Sequence, residues 1–183
     1  MSILPQNKGL KAGAGLWTSL WLTQDCLLCG APSDGELLCS ACAASLPKLP
    51  KPGCPQCALP TPIGEICGRC LAKPPHYDAT LAAYSYDFPL DKLVQSFKYG
   101  HRLPLGKHFG QQLATLSEQL TADLILPLPL HPGRLRERGF NQALELARPI
   151  GKALRIPIDT TSCSRTRTTP PQATLAWRER EAN

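Results

Sequence analysis

The stretch Cys26-Leu-Leu-Cys29-Gly-Ala-Pro32, continued by Gly35-Glu-Leu-Leu-Cys39-Ser-Ala-Cys42, returns 28 residues later as Cys54-Pro-Gln-Cys57-Ala-Leu-Pro60 and Gly64-Glu-Ile-Cys67-Gly-Arg-Cys70. Two cysteines separated by two residues turn their sulfurs toward one point and make half of a tetrahedral site. A disulfide inside such a pair closes a small strained ring, which suits redox catalysts better than scaffolds. Four pairs without a convincing export signal therefore indicate thiolate–metal bonding in a reducing, cytoplasmic compartment. Nine residues separate the two knuckles of each copy, enough for a tight hairpin, so a duplicated ribbon is expected over residues 25–74. The preferred grouping puts Cys26, Cys29, Cys39 and Cys42 on one ion and Cys54, Cys57, Cys67 and Cys70 on a second. An interleaved grouping, with Cys26/Cys29 beside Cys54/Cys57, fits the spacing too. Zinc is favoured over iron–sulfur because knuckle pairs in a hairpin suit a closed tetrahedral site. Four thiolates per ion leave no open position, so both metals are expected to be structural. The ninth cysteine, Cys163, stands alone among Thr, Ser and Arg and is expected to be inert.

Before the ribbons, residues 1–24 form a leader in which Lys8 and Lys11 precede Gly15-Leu-Trp17 and Leu20-Trp-Leu22. That order mimics a signal peptide, but the apolar run is short and Thr23-Gln24-Asp25 offers no small-x-small cleavage site. A short amphipathic helix or a frayed tail is expected. No stretch reaches the roughly 18–20 apolar residues that span a bilayer. At 183 residues and 43% hydrophobic, the chain suffices for one modest domain plus a stapled module.

Residues 75–183 read as that domain, with Lys73-Pro74-Pro75 as its boundary. Ala79 to Tyr86 is expected as a strand. Leu90, Leu93, Val94 and Phe97 mark a helix that Gly100 stops, and Leu105, Phe109, Leu113, Leu116 and Leu120 mark a second. Asp123 to Leu130 is a nearly continuous apolar run, expected as a buried parallel strand with Pro127 and Pro129 near its end. A loop from His131 to Gly139 follows, then a helix from Phe140 to about Leu154 that Pro149 should kink or shorten. Ile156 to Ile158 is a further strand. Strand, loop, helix and strand in that order suggest an α/β domain.

The charge of +6 is uneven: from His131 to Asn183 there are nine arginines and one lysine against five acidic residues. Ligands of open α/β sheets settle at the C-terminal strand ends, and free N–H groups at a helix start favour anions. Leu130, His131, Pro132, Gly133, Arg134 and Arg138 lie at such a place. Solvated arginines beside a helix cap would give the same composition.

The run from Leu126 to Ala147, Leu-Pro-Leu-Pro-Leu-His-Pro-Gly-Arg-Leu-Arg-Glu-Arg-Gly-Phe-Asn-Gln-Ala-Leu-Glu-Leu-Ala, closely resembles the hallmark segment of the ComF family. Gln95 to Arg102 resembles that family's segment ahead of the first core strand. Arg165 to Gln172, through Arg178, resembles its mobile-loop region, and the duplicated ribbon is its usual N-terminal module. The resemblance covers the chain from about Asp25 onward. It implies an α/β protein: an N-terminal double zinc ribbon, then an incomplete type I phosphoribosyltransferase-like parallel-sheet domain linked to natural competence. Leu130 to Arg134 would cradle pyrophosphate, and a mobile loop with Arg165, Arg167 and Gln172 would close over the phosphoribosyl group. The implied chemistry is displacement of Mg²⁺-bound pyrophosphate from phosphoribosyl pyrophosphate by a nitrogen nucleophile.

The family also has a strand ending in two acidic residues and a Thr-Thr-Gly phosphate loop. Here no glycine follows Gly151 and no two acidic residues are adjacent. The resemblance therefore implies a C-terminally truncated member, from a shortened reading frame or a partial sequence, catalytically incomplete and with an α/β part marginally stable or dependent on association. The competing reading is a zinc-ribbon module that binds nucleic acid or protein, with single-stranded DNA or a DNA-uptake helicase as partner. No Phe, Tyr or Trp lies between Cys26 and Cys70 to stack on bases.

Overall fold

The computed structural model describes residues 24–170, 172 and 175–182. The leader expected over residues 1–24 lies outside them except for Gln24.

The 28-residue repeat is also a repeat in space. Antiparallel bridges join Asp25 to Pro32 and, in the second copy, Gly53 to Pro60. In each knuckle the first cysteine's N–H reaches five residues on, Cys26 to the Ala31 carbonyl and Cys54 to the Leu59 carbonyl. Gly30 and Ala58 occupy equivalent left-handed positions, at φ 72° and 61°. The third cysteine of each copy, Cys39 or Cys67, is the cap of a five-residue helix, α1 (Ser40–Ala44) or α2 (Gly68–Ala72). The fourth cysteine therefore sits one turn further on, facing back toward the first pair.

The two copies differ in what they touch. Cys26, Leu38 and Leu46 of the first copy are buried in one apolar cluster with Leu90, Leu93, Phe97, Leu105 and Phe109. The second copy buries Cys54 and Cys70 but leaves Ile63 84% and Leu71 66% exposed. The linker between copies pairs with the next segment: Lys48 bridges Tyr84, and the Ser85 N–H donates to the Pro47 carbonyl at 2.8 Å. The strand expected over Ala79 to Tyr86 is reduced to this short pairing, because linker prolines at 47, 50 and 52 limit the available donors.

Helix α3 (Leu90–Tyr99) buries Leu90, Leu93 and Phe97 and ends at Gly100, as the periodicity predicts. Helix α4 (Pro104–Leu116) stops a turn earlier than expected, leaving Leu120 exposed. It packs on α6 (Gln142–Leu154) through two glycines one turn apart. A Cβ on Gly106 would lie 3.0 Å from the Glu145 Cβ, and one on Gly110 would lie 2.6 Å from the Leu146 carbonyl oxygen. That gap also receives the ring of Pro149, and α6 continues past the proline to Leu154 instead of ending at it.

Two expectations need correction. The segment from His131 to Gly139 is not a loop but a helix, α5 (Pro132–Arg138). Its ends are standard: the His131 side chain accepts from the Gly133 N–H, Pro132 sits in the first turn, and Gly139 closes it at φ 75°. The run from Asp123 to Leu130 is not buried, since Leu124, Leu126 and Leu128 are 43%, 53% and 72% exposed. Its one sheet-like pairing among the described residues is a parallel bridge from Ile125 to Ile158. The Ile125 N–H donates to the Pro157 carbonyl at 2.9 Å, and the Asp159 N–H donates to the Ile125 carbonyl at 3.0 Å. Pro127 and Pro129 cannot extend that ladder. A helix, α7 (Trp177–Ala182), ends the described part. No helix among the described residues is long and apolar enough to cross a membrane.

Candidate metal centres and anion cleft

The eight ribbon cysteines form two separate clusters. The sulfurs of Cys26, Cys29, Cys39 and Cys42 all lie within 4.8 Å of one another, as do those of Cys54, Cys57, Cys67 and Cys70. This geometry selects the grouping within each copy and removes the interleaved one. Two cysteine-rich sites of this kind fit a double zinc ribbon.

The electrostatics of each cluster are those of a cation site. Backbone N–H groups of Cys57 and Cys67 point at the Cys54 sulfur and lower its thiol to about 6. Burial opposes ionisation of Cys26, yet the N–H groups of Cys29 and Cys39 outweigh it and bring that thiol to about 6 as well. Cys42 is pushed up to about 12 by hydrogen bonds with Cys29 and Cys39, and Cys70 to about 12 by burial and then by Cys57 and Cys67. Four sulfurs this close cannot all be anionic beside one another, so protons are shared unless a divalent ion replaces them. Arg69 adds positive charge to the second cluster: its guanidinium pKa is raised by a hydrogen bond to Cys57 and by that thiolate's charge.

The other constellation lies where α5 meets the segment 165–172. Leu130, His131, Arg134, Arg138, Arg165 and Gln172 line one cleft of about 140 Å³, together with Thr169 and Pro170. Of the residues expected to touch phosphate, Pro132 instead faces an adjoining cleft of about 510 Å³ that shares Leu130 and Arg165. Gly133 is occupied in the cap of α5, and Arg167 is exposed and lines neither cleft.

Each basic side chain of the small cleft has a support. The Arg134 Nη1 donates to Glu137 Oε2 at 2.7 Å, and the Arg165 Nη2 donates to Thr169 Oγ1 at 2.6 Å. The Arg138 guanidinium lies 5.3 Å from the centre of the Tyr99 ring and donates from Nη1 to Gln142 Oε1 at 3.1 Å. Its Nε is buried without a partner, a donor still available to an acceptor. The His131 Nδ1 accepts from the Gly133 N–H at 3.2 Å, and Thr168 Oγ1 lies against the same ring, 3.2 Å from Nδ1 and 3.0 Å from Nε2. No acidic residue lines this cleft. Three guanidiniums, an imidazole and an amide on one small concave surface can hold a compact polyanion such as a diphosphate.

Sequence reasoning missed Tyr99, Thr168 and Thr169, which support these cations without being charged themselves. It also left Asn141 without a role. Its Oδ1 accepts from the Ala143 N–H to cap α6, and its Nδ2 donates to the Leu128 carbonyl at 3.1 Å. The motif Gly-Phe-Asn-Gln thus ties the end of the 123–130 segment to the following helix. Asp159, just after the bridged Ile158, accepts from Thr161 and Ser162, and those bonds, led by Ser162, hold its carboxyl well below the usual carboxylate range.

A pair of four-cysteine clusters defines the class, a double-zinc-ribbon protein, here followed by a cleft lined by three arginines. The family profile described as "Double zinc ribbon domain" matches residues 17–71. The DNA utilization protein YhgH of Escherichia coli strain K12 is 33% identical over 168 residues, covering 86% of this chain and 74% of that protein. Competence protein F of Haemophilus influenzae is 29% identical over 154 residues, covering 80% of this chain and 66% of that protein. Competence protein ComFC of Bacillus subtilis is 25% identical over 132 residues, covering 67% of this chain and 55% of that protein. No solved structure matches the chain. The chain belongs to the ComF family of competence-related proteins.

Proposed function

We propose that this chain is a phosphoribosyltransferase-like protein of DNA uptake that binds a diphosphate ligand, phosphoribosyl pyrophosphate, in the cleft between α5 and residues 165–172. The observation that carries the reading is the convergence of Arg134, Arg138 and Arg165 with His131 and Gln172 on one cleft lined by no acid. The link to DNA uptake rests on relatives named for DNA utilization and competence. Residues 75–183 act as the phosphoribosyltransferase-like unit, with Ile125 and Ile158 as its first parallel pair. Mg²⁺ would accompany the diphosphate and share its charge with the arginines.

In this reading the eight cysteines hold two zinc ions as structural clamps, residues 25–74 being the module they fold. The cell interior is the compartment that keeps such thiols reduced. A second reading, a ribbon that docks protein, draws on the exposed Ile63 and Leu71 of the second copy. The two separate by thermal protection. Phosphoribosyl pyrophosphate with Mg²⁺ should raise the melting temperature of the zinc-loaded chain by mass action. No protection would leave the protein-docking ribbon, and single-stranded DNA binding that weakens steeply with salt would instead make it a nucleic-acid module.

A further inference from the structure

The two cysteine clusters are alike in geometry and unlike in cover. The Cys29 and Cys39 sulfurs stand 3.7 Å apart, and their counterparts Cys57 and Cys67 stand 3.6 Å apart. Sulfurs at the corners of a tetrahedron, about 2.3 Å from a zinc ion, are separated by about 3.8 Å, so both spacings fit the ion. In the first cluster Cys26 is buried, Cys39 and Cys42 are half-buried, and Cys29 is exposed. In the second, Cys54 and Cys70 are both buried, and neither Cys57 nor Cys67 is exposed.

Charge separates them further. The Arg69 guanidinium donates to the Cys57 sulfur, and the repeat puts Ala41 at the equivalent place in the first copy. A hydrogen bond from a cation engages a sulfur lone pair and makes that sulfur a weaker nucleophile. All eight sulfurs are thiolates when zinc is bound, so exposure and hydrogen bonding decide which cluster an oxidant attacks first. Both point to Cys29. The place of the first cluster gives its loss a consequence. Cys26, Leu38 and Leu46 share one apolar cluster with Leu93 and Phe97 of α3 and Leu105 of α4, and Cys39 and Cys42 pack against it. Among the described residues, none from the second copy contributes to that cluster.

We propose that the first ribbon is a redox-sensitive element: a hydroperoxide oxidises Cys29 and Cys39 to a disulfide, zinc is lost from that cluster, and the core around α3 and α4 loosens. The second cluster keeps its ion and remains a clamp. In the oxidation the Cys29 thiolate attacks one peroxide oxygen, the O–O bond breaks, and the departing hydroxide takes a proton from solvent to become water. The Cys39 thiolate then attacks the resulting sulfenic sulfur, forms the S–S bond and expels a second hydroxide, which is also protonated. The two thiolates lose two electrons, and the peroxide gains them as two waters. Cys26 and Cys42 are then the only ligands left, too few for a closed tetrahedral site. The proposal rests on reading the clusters as zinc sites and does not depend on the diphosphate reading.

The test adds hydrogen peroxide stepwise to the zinc-loaded full chain. Released zinc is followed with a chelating dye, and each cysteine by differential alkylation and peptide mass spectrometry. One zinc should leave in step with a Cys29–Cys39 disulfide, and the second should leave at least about tenfold more slowly. The melting temperature should fall with the first zinc, and dithiothreitol with added zinc should restore it. Cys29→His keeps a zinc ligand without an oxidisable sulfur, so that variant should retain both ions at the dose that strips one from the parent chain. Arg69→Leu should speed release of the second zinc, and Arg69→Lys, which keeps the charge, should do so less. If Cys29→His misfolds, the disulfide assignment in the parent chain decides alone. Release of both ions together, release from the second cluster first, or retention of both once the exposed Cys163 is oxidised would overturn the proposal. Fewer than two zinc ions bound before peroxide is added would overturn the zinc reading, and this inference with it.

Discussion

Thr168 Oγ1 lies 3.0 Å from His131 Nε2, although 37 positions separate the two residues in the chain. The bond fastens an extended, Arg-containing segment to the cap of α5, so that Arg165 and Gln172 face Arg134 and Arg138 across one cleft. The cleft is therefore fastened at its rim by a contact that uses none of its three guanidiniums.

Thr168→Val should loosen that segment without affecting the helices. An exposed neutral hydrogen bond is worth about 0.5–1.5 kcal/mol, so pyrophosphate affinity should fall roughly threefold to tenfold. Calorimetric titration of pyrophosphate, with hydrogen exchange of residues 165–170 as the second readout, checks this.

The two cysteine clusters should not be equivalent. Cys26 belongs to the apolar cluster that includes Leu93, Phe97 and Leu105, whereas the second ribbon has Ile63 and Leu71 exposed. Cys26→Ser should lower the melting temperature of the whole chain and remove one zinc of two. Cys54→Ser should also remove one zinc, while α3, α4 and α6 keep most of their helical signal. Zinc content by atomic emission and far-ultraviolet circular dichroism on heating measure both effects.

Gly110→Ala should destabilise the α4–α6 contact. The added carbon would approach the Leu146 carbonyl oxygen to 2.6 Å and collide with the Pro149 ring, so the helices must separate. Overpacking of this kind costs about 1–3 kcal/mol. Denaturant unfolding should show a lower midpoint, and Ala114→Gly, on the same helix, should not show the same steric signature.

Asp159 gives a pH dependence with a definite sign. Bonds from Ser162 and Thr161 favour the carboxylate, so its folded pKa lies below the ordinary value of 3.8. The stability it contributes is complete above that unfolded value and is lost as pH falls through the folded one. Asp159→Asn should flatten the acid limb of the stability curve below about pH 4. Equal acid limbs for both proteins would show that the turn contributes nothing.

The cysteine spacing alone was enough to identify the ribbons, because each Cys-x-x-Cys knuckle is a local structure whose geometry depends on few other residues. The grouping of knuckles within each copy, preferred from the repeat, is the one the sulfurs adopt, while the interleaved pairing that spacing left open needed the structure to remove it. Helix α3 was readable from its apolar period and Gly100, while α5 was misread as a loop. His131, Pro132 and Gly139 are a complete set of start and stop signals, but the arginines between them leave no apolar period for the helix to show. The exposed run from Asp123 to Leu130 shows the opposite failure. Its composition suits a buried strand, but burial requires neighbouring layers, and a one-residue pairing with Ile158 covers only part of it. The anion cleft was half visible: its cations are in the motifs, but the Thr168–His131 bond that joins them across 37 residues leaves no local trace.

The most direct test of the account is calorimetric titration of phosphoribosyl pyrophosphate with Mg²⁺ into the zinc-loaded chain, compared with its Arg134→Ala and Arg165→Ala variants. The account predicts saturable one-site binding, weakened at least about tenfold by either substitution, with zinc content and melting temperature of the free proteins unchanged. Binding that survives both substitutions, or no binding by a folded chain holding two zinc ions, would contradict it.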